Sequence, residues 1–211
     1  MTTLSKAKIK TVIDILMEYY PDADCALNHN SPYELLIATI LSAQCTDVRV
    51  NIITEELFKV ANSPQAMLEL GEESLKDYIK SAGFFNTKSK NILETSRILV
   101  ENYNGEVPND RAALESLPGV GRKTANVVLS NSFGVPAIAV DTHVFRVSNR
   151  IGLVEEKTVE KTEDALMKAI PKTKWTKMHH VIIFHGRQIC KARSPLCDIC
   201  PINHICKFIN K

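Results

Sequence analysis

The chain has 211 residues, of which 45% are hydrophobic, enough for one substantial core or two modest ones. Its net charge of +2 neither requires nor opposes a nucleic-acid partner, because local clusters of charge matter more than the total. No stretch approaches the roughly 20 apolar residues of a membrane span, and the N-terminus lacks the apolar core of a signal peptide. We therefore expect a cytoplasmic protein and exclude an integral membrane protein.

Apolar residues recur at helical spacing along nearly the whole chain, beginning with Ile9, Val12, Ile13 and Leu16. Ser31 and Ser63 each precede a proline, which is typical of a capped helix start. Only 137–140 could be extended, and one short segment makes no sheet. The sequence therefore predicts an all-α fold. Beyond the first segment and the one after Ser31, helices are expected at 47–60, 72–82, 88–103, 111–117, 122–131, 142–150, 159–170 and 177–190.

A glycine-rich turn precedes the predicted helix 122–131. Pro118, Gly119 and Gly121 can only form a tight turn, and the two glycines leave backbone N–H groups accessible. Such groups at a helix N-terminus can hold a phosphate. Glycine turns are also common punctuation, so by itself this one is as well explained as a plain connection between two helices.

Lys123 falls in the first turn of that helix. The positive pole of the helix dipole lies there and Arg122 is adjacent, so the charged ammonium is disfavoured and the neutral amine becomes more available. A neutral lysine amine is a nucleophile that forms Schiff bases. Lys123 is thus a candidate catalytic residue.

Asp141 follows an apolar run and precedes the predicted helix 142–150. The simpler interpretation is an N-cap, because aspartate accepts hydrogen bonds from the first free N–H groups of a helix. A cap and a catalytic carboxylate are compatible roles.

Four of the six cysteines lie within one short segment with the spacing C-x6-C-x2-C-x5-C. A cytosolic protein has little use for disulfides, so this cluster indicates a metal. Only one close pair is present, which favours a cubane iron–sulfur cluster over structural zinc, and zinc stays open as the alternative. The four are Cys190, Cys197, Cys200 and Cys206.

Basic side chains form short clusters, and each cluster taken alone is best interpreted as a solvated helix face. The clusters are Lys88 with Lys90, Arg122 with Lys123, Arg146 with Arg150, and Arg187 with Lys191 and Arg193.

Taken together, these motifs give the chain a resemblance to the endonuclease III family of helix-hairpin-helix DNA glycosylases and abasic-site lyases. Segment 117–128 (LPGVGRKTANVV) is similar to the family's hairpin, and 140–146 (VDTHVFR) to its catalytic aspartate segment. The cysteine spacing is similar to its [4Fe-4S] loop, and 41–47 (LSAQCTD) to a segment whose glutamine enters the DNA.

The resemblance implies a six-helix barrel domain at 24–135, with the helix-hairpin-helix at about 111–132. A second helical domain would comprise 1–23 and 136–211 and carry a [4Fe-4S] cluster in the loop 190–206. The active-site cleft would lie between the two domains.

The resemblance also implies the chemistry. Lys123 would attack the sugar C1′ as the Schiff-base nucleophile, with Asp141 as electrostatic stabiliser or general base, and β-elimination would cut the strand 3′ to the abasic site. Further residues are implied to contact DNA: Gln44, Phe84, Phe85, Gly119, Val120, Gly121, Arg122, Arg146 and Arg193.

The implied partner is double-stranded DNA with oxidised pyrimidines or abasic sites, bound by a monomer at the bacterial nucleoid. Two other functions remain open. One is a monofunctional adenine or mismatch glycosylase, against which Lys123 argues. The other is a non-catalytic helix-hairpin-helix DNA-binding protein, in which Asp141 would be a cap and nothing more.

Overall fold

The computed structural model describes residues 3–210, and within that part of the chain every regular element is helical. The predicted all-α fold is confirmed. Among the same residues, no helix combines the length and the apolar character that crossing a bilayer requires. The α-helices are α1 (Lys6–Tyr19), α2 (Pro32–Leu41), α3 (Asp47–Val60), α4 (Pro64–Leu70), α5 (Glu72–Ile79), α6 (Phe85–Tyr103), α7 (Arg111–Glu115), α8 (Arg122–Ser132), α9 (Thr142–Ile151), α10 (Val159–Ala169) and α11 (Trp175–Gln188).

The chain divides into two compact units. One is continuous and spans Cys25–Val135, and it contains helices α2 to α8. The other combines Met1–Asp24 with Pro136–Lys211, and so joins helix α1 to the last three helices.

Helix α2 is the central element of the unit Cys25–Val135. All its residues from Tyr33 to Leu41 are buried, as expected for a helix that is apolar on every side. The hydroxyl of Ser31 accepts a hydrogen bond from Glu34 N at 3.1 Å, which confirms the predicted cap. Helices α3, α6 and α8 all pack against α2.

Helix α6 begins at Phe85, three residues before the predicted start, so Lys88 lies inside the helix and not at its first position. Lys90 is exposed as expected of a solvated face, but Lys88 is only 5% exposed. The expectation that both lysines belong to a solvated face was therefore wrong for Lys88. It belongs to the inner face of the helix, which also includes Ser89, Ile92, Thr95, Ser96 and Leu99.

The hairpin is formed by α7, a tight turn and α8. Gly119 has φ of +77°, which only glycine adopts without strain. The side chain of Asn91 packs against it, so an added Cβ would lie 2.9 Å from Asn91 Nδ2. Thr95 Oγ1 donates to Pro118 O at 3.0 Å. Two side chains of α6 therefore hold the turn in place.

The other unit has a core formed mainly by α1, α9, α10 and α11. Ile13 and Leu16 of α1 are buried in it together with Val144 and Val181. Gly186 allows a close approach to α9, since a Cβ there would lie 2.9 Å from the Val147 side chain. The N-terminal helix is therefore integral to this unit.

The turn geometry predicts that Gly119→Ala lowers the free energy of unfolding by about 1–3 kcal/mol, because it adds left-handed strain and a contact with Asn91. Gly121→Ala is the matched control: its φ is −99° and an added Cβ meets nothing within 4 Å, so the loss should stay below about 1 kcal/mol. Urea unfolding followed by circular dichroism measures both. Equal losses would contradict this account of the turn.

Candidate functional site

The first turn of α8 emerges from a buried helix. Gly121, Arg122 and Lys123 are exposed, whereas the body of the helix from Ala125 to Ser130 is buried. The buried helix body therefore anchors Lys123, which is itself exposed.

The N-terminus of α8 has no side-chain cap within the described chain. Gly121 is the N-cap residue, in an extended conformation that leaves room for a ligand beside the backbone. Val120 differs from its neighbours: its side chain is buried and its N–H donates to Leu117 O at 3.1 Å. The N–H of Val120 thus stabilises the turn, and DNA contact by Val120 stays a prediction.

Asp141 is the N-cap of α9. Its Oδ1 accepts a hydrogen bond from Val144 N at 2.7 Å, which confirms the cap. The residue is half-buried. The bond fixes the orientation of the carboxylate relative to α9.

Two loops of the unit Cys25–Val135 carry the residues expected to enter DNA. Gln44 lies between α2 and α3, and Phe84 immediately precedes α6. Both have left-handed backbones, with φ of 53° and 49°. Gln44 is exposed, Phe84 is 67% exposed and Phe85 is half-buried. DNA contact by these three residues stays a prediction.

The four clustered cysteines line a common pocket. Arg150 and His185 also line the pocket, and apolar side chains form the rest of the lining; they are Ile151, Ile189, Pro195, Leu196, Ile202, Phe208 and Ile209. None of the six cysteines forms a disulfide. The segment therefore folds around a site to which four thiols have access.

The donor set fits an iron–sulfur cluster. Burial raises the pKa of the Cys200 thiol to about 11, with the neighbouring cysteines adding to the effect. Metal coordination is what stabilises a thiolate in such surroundings. Four thiolates around an apolar pocket match the ligation of a cubane cluster.

Two arginines of α9 hold the start of the cysteine loop. Arg146 Nη2 donates to Gly186 O at 3.0 Å and to Cys190 O at 3.1 Å. Arg150 Nη1 donates to Lys191 O at 2.7 Å and lies 3.7 Å from Cys190 Sγ. The expectation that these residues form a solvated face was wrong, because their guanidinium groups are partners of backbone carbonyls. DNA contact by Arg146 stays a prediction.

His185 supports the loop from α11. Its Nδ1 lies 3.2 Å from Tyr20 Oη and its Nε2 lies 3.7 Å from Cys200 Sγ. Burial lowers the pKa of His185 to about 4, so the ring is neutral at pH 7. If the Tyr20 hydroxyl donates to Nδ1, Nε2 carries the proton and points at sulfur. N–H groups directed at cluster sulfurs help to set reduction potential.

The sequence indicated candidate reactive groups but not all of the side chains that support them. Within one unit, the structure brings Gly119, Gly121 and Lys123 together at one end of α8. Arg193 is exposed on the cysteine loop of the other unit. Arg150 was recognised only as part of a basic cluster, four residues after Arg146, and His185 was missed.

Comparisons with known proteins agree with this architecture. Residues 37–172 match the model of the HhH-GPD superfamily of base excision DNA repair proteins. Residues 190–206, from the first to the last clustered cysteine, match the iron–sulfur binding domain of endonuclease III. The chain therefore carries an iron–sulfur cluster, the metal site that the cysteine spacing favoured.

The similarity to individual proteins extends over the whole chain. Endonuclease III of Escherichia coli (strain K12) is 53% identical over 208 residues, which cover 99% of both chains. A solved non-covalent endonuclease III–DNA complex superimposes with a TM-score of 0.94 at 49% identity, over 98% of this chain and 97% of that one. A trapped endonuclease III–DNA covalent intermediate, an estranged-adenine complex, gives 0.93 at 49% identity over 98% of both chains.

The helix-hairpin-helix, the capped aspartate and the four-cysteine loop thus occur together in a chain that resembles these proteins from end to end. On this evidence, the chain belongs to the endonuclease III family of base-excision-repair enzymes, bifunctional DNA glycosylases and abasic-site lyases.

Proposed function

We propose that this enzyme removes oxidised pyrimidines from double-stranded DNA and cuts the strand 3′ to the resulting abasic site, with Lys123 as nucleophile. The observation that carries the assignment is the position of Lys123, exposed on the first turn of a buried helix directly after a glycine turn. The existence of a trapped covalent DNA intermediate of a 49% identical endonuclease III supports it.

The first step would displace the base. The neutral Lys123 amine attacks C1′ of the flipped nucleotide, the C1′–N bond breaks, and the base leaves with a proton. Opening of the sugar ring gives an iminium linking Lys123 to C1′. Removal of the C2′ proton then drives cleavage of the C3′–O bond, and hydrolysis of the imine frees the lysine.

Asp141 would stabilise positive charge on the sugar and accept the proton from Lys123. Its Oδ1 is held by Val144 N, so the carboxylate is oriented before the substrate arrives. The cap therefore contributes to preorganisation as well as to the stability of α9.

DNA would be held mainly by contacts with its backbone and by side chains that fill the space left by the flipped base. The N–H groups of Gly119 and Gly121 would bind a phosphate, with Arg122 and Arg193 adding charge; such contacts position the duplex without reading sequence. Gln44 would fill the vacated space, and Phe84 with Phe85 would wedge beside the partner base. Flipping costs about a few kcal/mol, and less for a poorly stacked lesion.

The cluster would be a [4Fe-4S] cluster bound through one thiolate each from Cys190, Cys197, Cys200 and Cys206. When bound, it supplies cross-links that hold the segment in shape. Arg193 projects from the loop between the first two ligands, so the fold around the pocket would fix where this positive charge meets DNA. We also propose a monomer acting on the bacterial chromosome in the cytoplasm.

The nucleophile assignment predicts that Lys123→Gln gives no covalent adduct when borohydride is added to protein and abasic-site DNA, while DNA binding persists. Arg122→Gln is the matched control, because it removes the neighbouring charge but keeps the amine. It should still form the adduct, at a lower rate. An adduct with Lys123→Gln would place the nucleophile elsewhere.

Two substitutions at Asp141 separate its charge from its cap. Asparagine caps helices as well as aspartate, so Asp141→Asn should keep stability within about 0.5 kcal/mol and lower the single-turnover base-release rate by about 100-fold or more. Asp141→Ala should lose about 1 kcal/mol of stability as well. Full activity of the asparagine variant would leave Asp141 with a capping role alone.

The ligand assignment predicts that Cys200→Ala protein loses its iron and the broad visible absorption of an iron–sulfur cluster. Cys25→Ala and Cys45→Ala are the controls, because both thiols lie in the unit Cys25–Val135 and outside the cluster loop. They should keep the iron content of the wild type. Iron and acid-labile sulfide assays provide the measurement, and a full complement in Cys200→Ala protein would refute the assignment.

A further inference from the structure

Lys88 is a buried lysine whose ammonium group donates hydrogen bonds to main-chain oxygens of three different residues. Its Nζ donates to Leu41 O at 2.8 Å, to Ala43 O at 2.8 Å and to Ala82 O at 2.7 Å. An ammonium has three protons, so these three bonds use all of its donors.

The location of the three acceptors explains how a buried charge is tolerated. Leu41 is the last residue of α2, so its carbonyl belongs to the negative pole of that helix and has no helical partner of its own. Burial lowers the pKa of Lys88, which is the cost of taking an ammonium out of water. Charge-assisted bonds to three carbonyl oxygens offset that cost.

The same carbonyls belong to the two strained loops. Ala43 directly precedes Gln44, and Ala82 is two residues before Phe84. Gln44 and Phe84 are two of the four non-glycine residues with positive φ in the described part of the chain. A left-handed conformation at such residues is strained and persists only where surrounding contacts enforce it.

We infer that Lys88 is a positioning residue for base flipping: its three hydrogen bonds tie the Gln44 loop and the Phe84 turn to each other and to α2, so that both enter the duplex as one rigid unit. This inference rests on the proposed function, in which Gln44 fills the space left by the base and Phe84 wedges beside its partner. Lys88 itself touches no reacting atom.

A positioning role can be distinguished from a purely structural one by the substrates whose reaction it affects. The two loops are needed to break pairing and stacking. They matter little when the lesion has no partner base, because extrusion is then easier. Loss of Lys88 should therefore harm reactions on paired lesions far more than on unpaired ones.

The experiment compares Lys88→Met with wild type in single-turnover base release from two duplexes. In one, thymine glycol lies opposite adenine; in the other, the same strand has a tetrahydrofuran abasic analogue opposite the lesion. We expect a loss of about 10-fold or more on the first duplex and less than about 3-fold on the second. Lys59→Met, which removes an exposed lysine of the same unit, is the charge control and should stay near wild type on both.

A double-mutant cycle tests whether Lys88 acts through the Gln44 loop. Gln44→Ala should slow the paired duplex, and adding Lys88→Met should then cost at most a third of its effect in the wild-type background. Circular dichroism at the assay temperature shows whether each variant is folded. If Lys88→Met does not fold, Lys88→Gln keeps an amide donor for part of the network and is used in its place, with an intermediate loss expected.

Three results would overturn the inference: equal losses of Lys88→Met on the two duplexes, strict additivity in the cycle, or no effect of Gln44→Ala on the paired duplex. Failure of the proposed function is a separate outcome. It would appear as wild-type protein that forms no borohydride adduct through Lys123 on pre-formed abasic DNA. That assay uses neither the Lys88 variant nor the Gln44 variant.

Discussion

The buried face of α6 is the constraint on which the unit Cys25–Val135 depends. Lys88, Asn91 and Thr95 follow one another at helical spacing. Lys88 binds carbonyls of the Gln44 loop, of the Phe84 turn and of the end of α2, whereas Asn91 and Thr95 both contact the hairpin turn. One helix thereby sets the position of the Gln44 loop, the Phe84 turn and the hairpin turn. Further along α6, Ser96 Oγ lies 2.7 Å from Tyr33 Oη, which joins the helix to the start of α2.

Polar side chains do this work because each loop presents main-chain groups that need partners. A leucine at position 88 would fill space but would leave the last carbonyl of α2 and two loop carbonyls without donors. The helix therefore combines apolar residues, such as Ile92 and Leu99, with polar ones placed where loops end. Packing supplies most of the stability, and hydrogen bonds supply the geometry.

The sequence could predict those structural features that depend only on neighbouring residues. The caps at Ser31 and Asp141 and the turn before α8 each depend on a few adjacent residues, and the structure contains them. Lys88 and Arg150 were misread as solvated because their partners are distant in sequence. Lys88 reaches carbonyls 47 and 45 positions away, and Arg150 reaches a carbonyl 41 positions away. No local pattern distinguishes a lysine bound for solvent from one directed at the end of another helix.

The anchoring of α8 has a consequence for the timing of the reaction. Since the helix body is buried from Ala125 to Ser130, its backbone has little freedom. The amine of Lys123 therefore moves only by rotations of its own side chain. Rotamer changes of an exposed side chain take picoseconds to nanoseconds. As the proposed nucleophile, Lys123 would thus sample its reactive orientations many times during each encounter with DNA. Delivery of the lysine would then not limit the rate of the cycle.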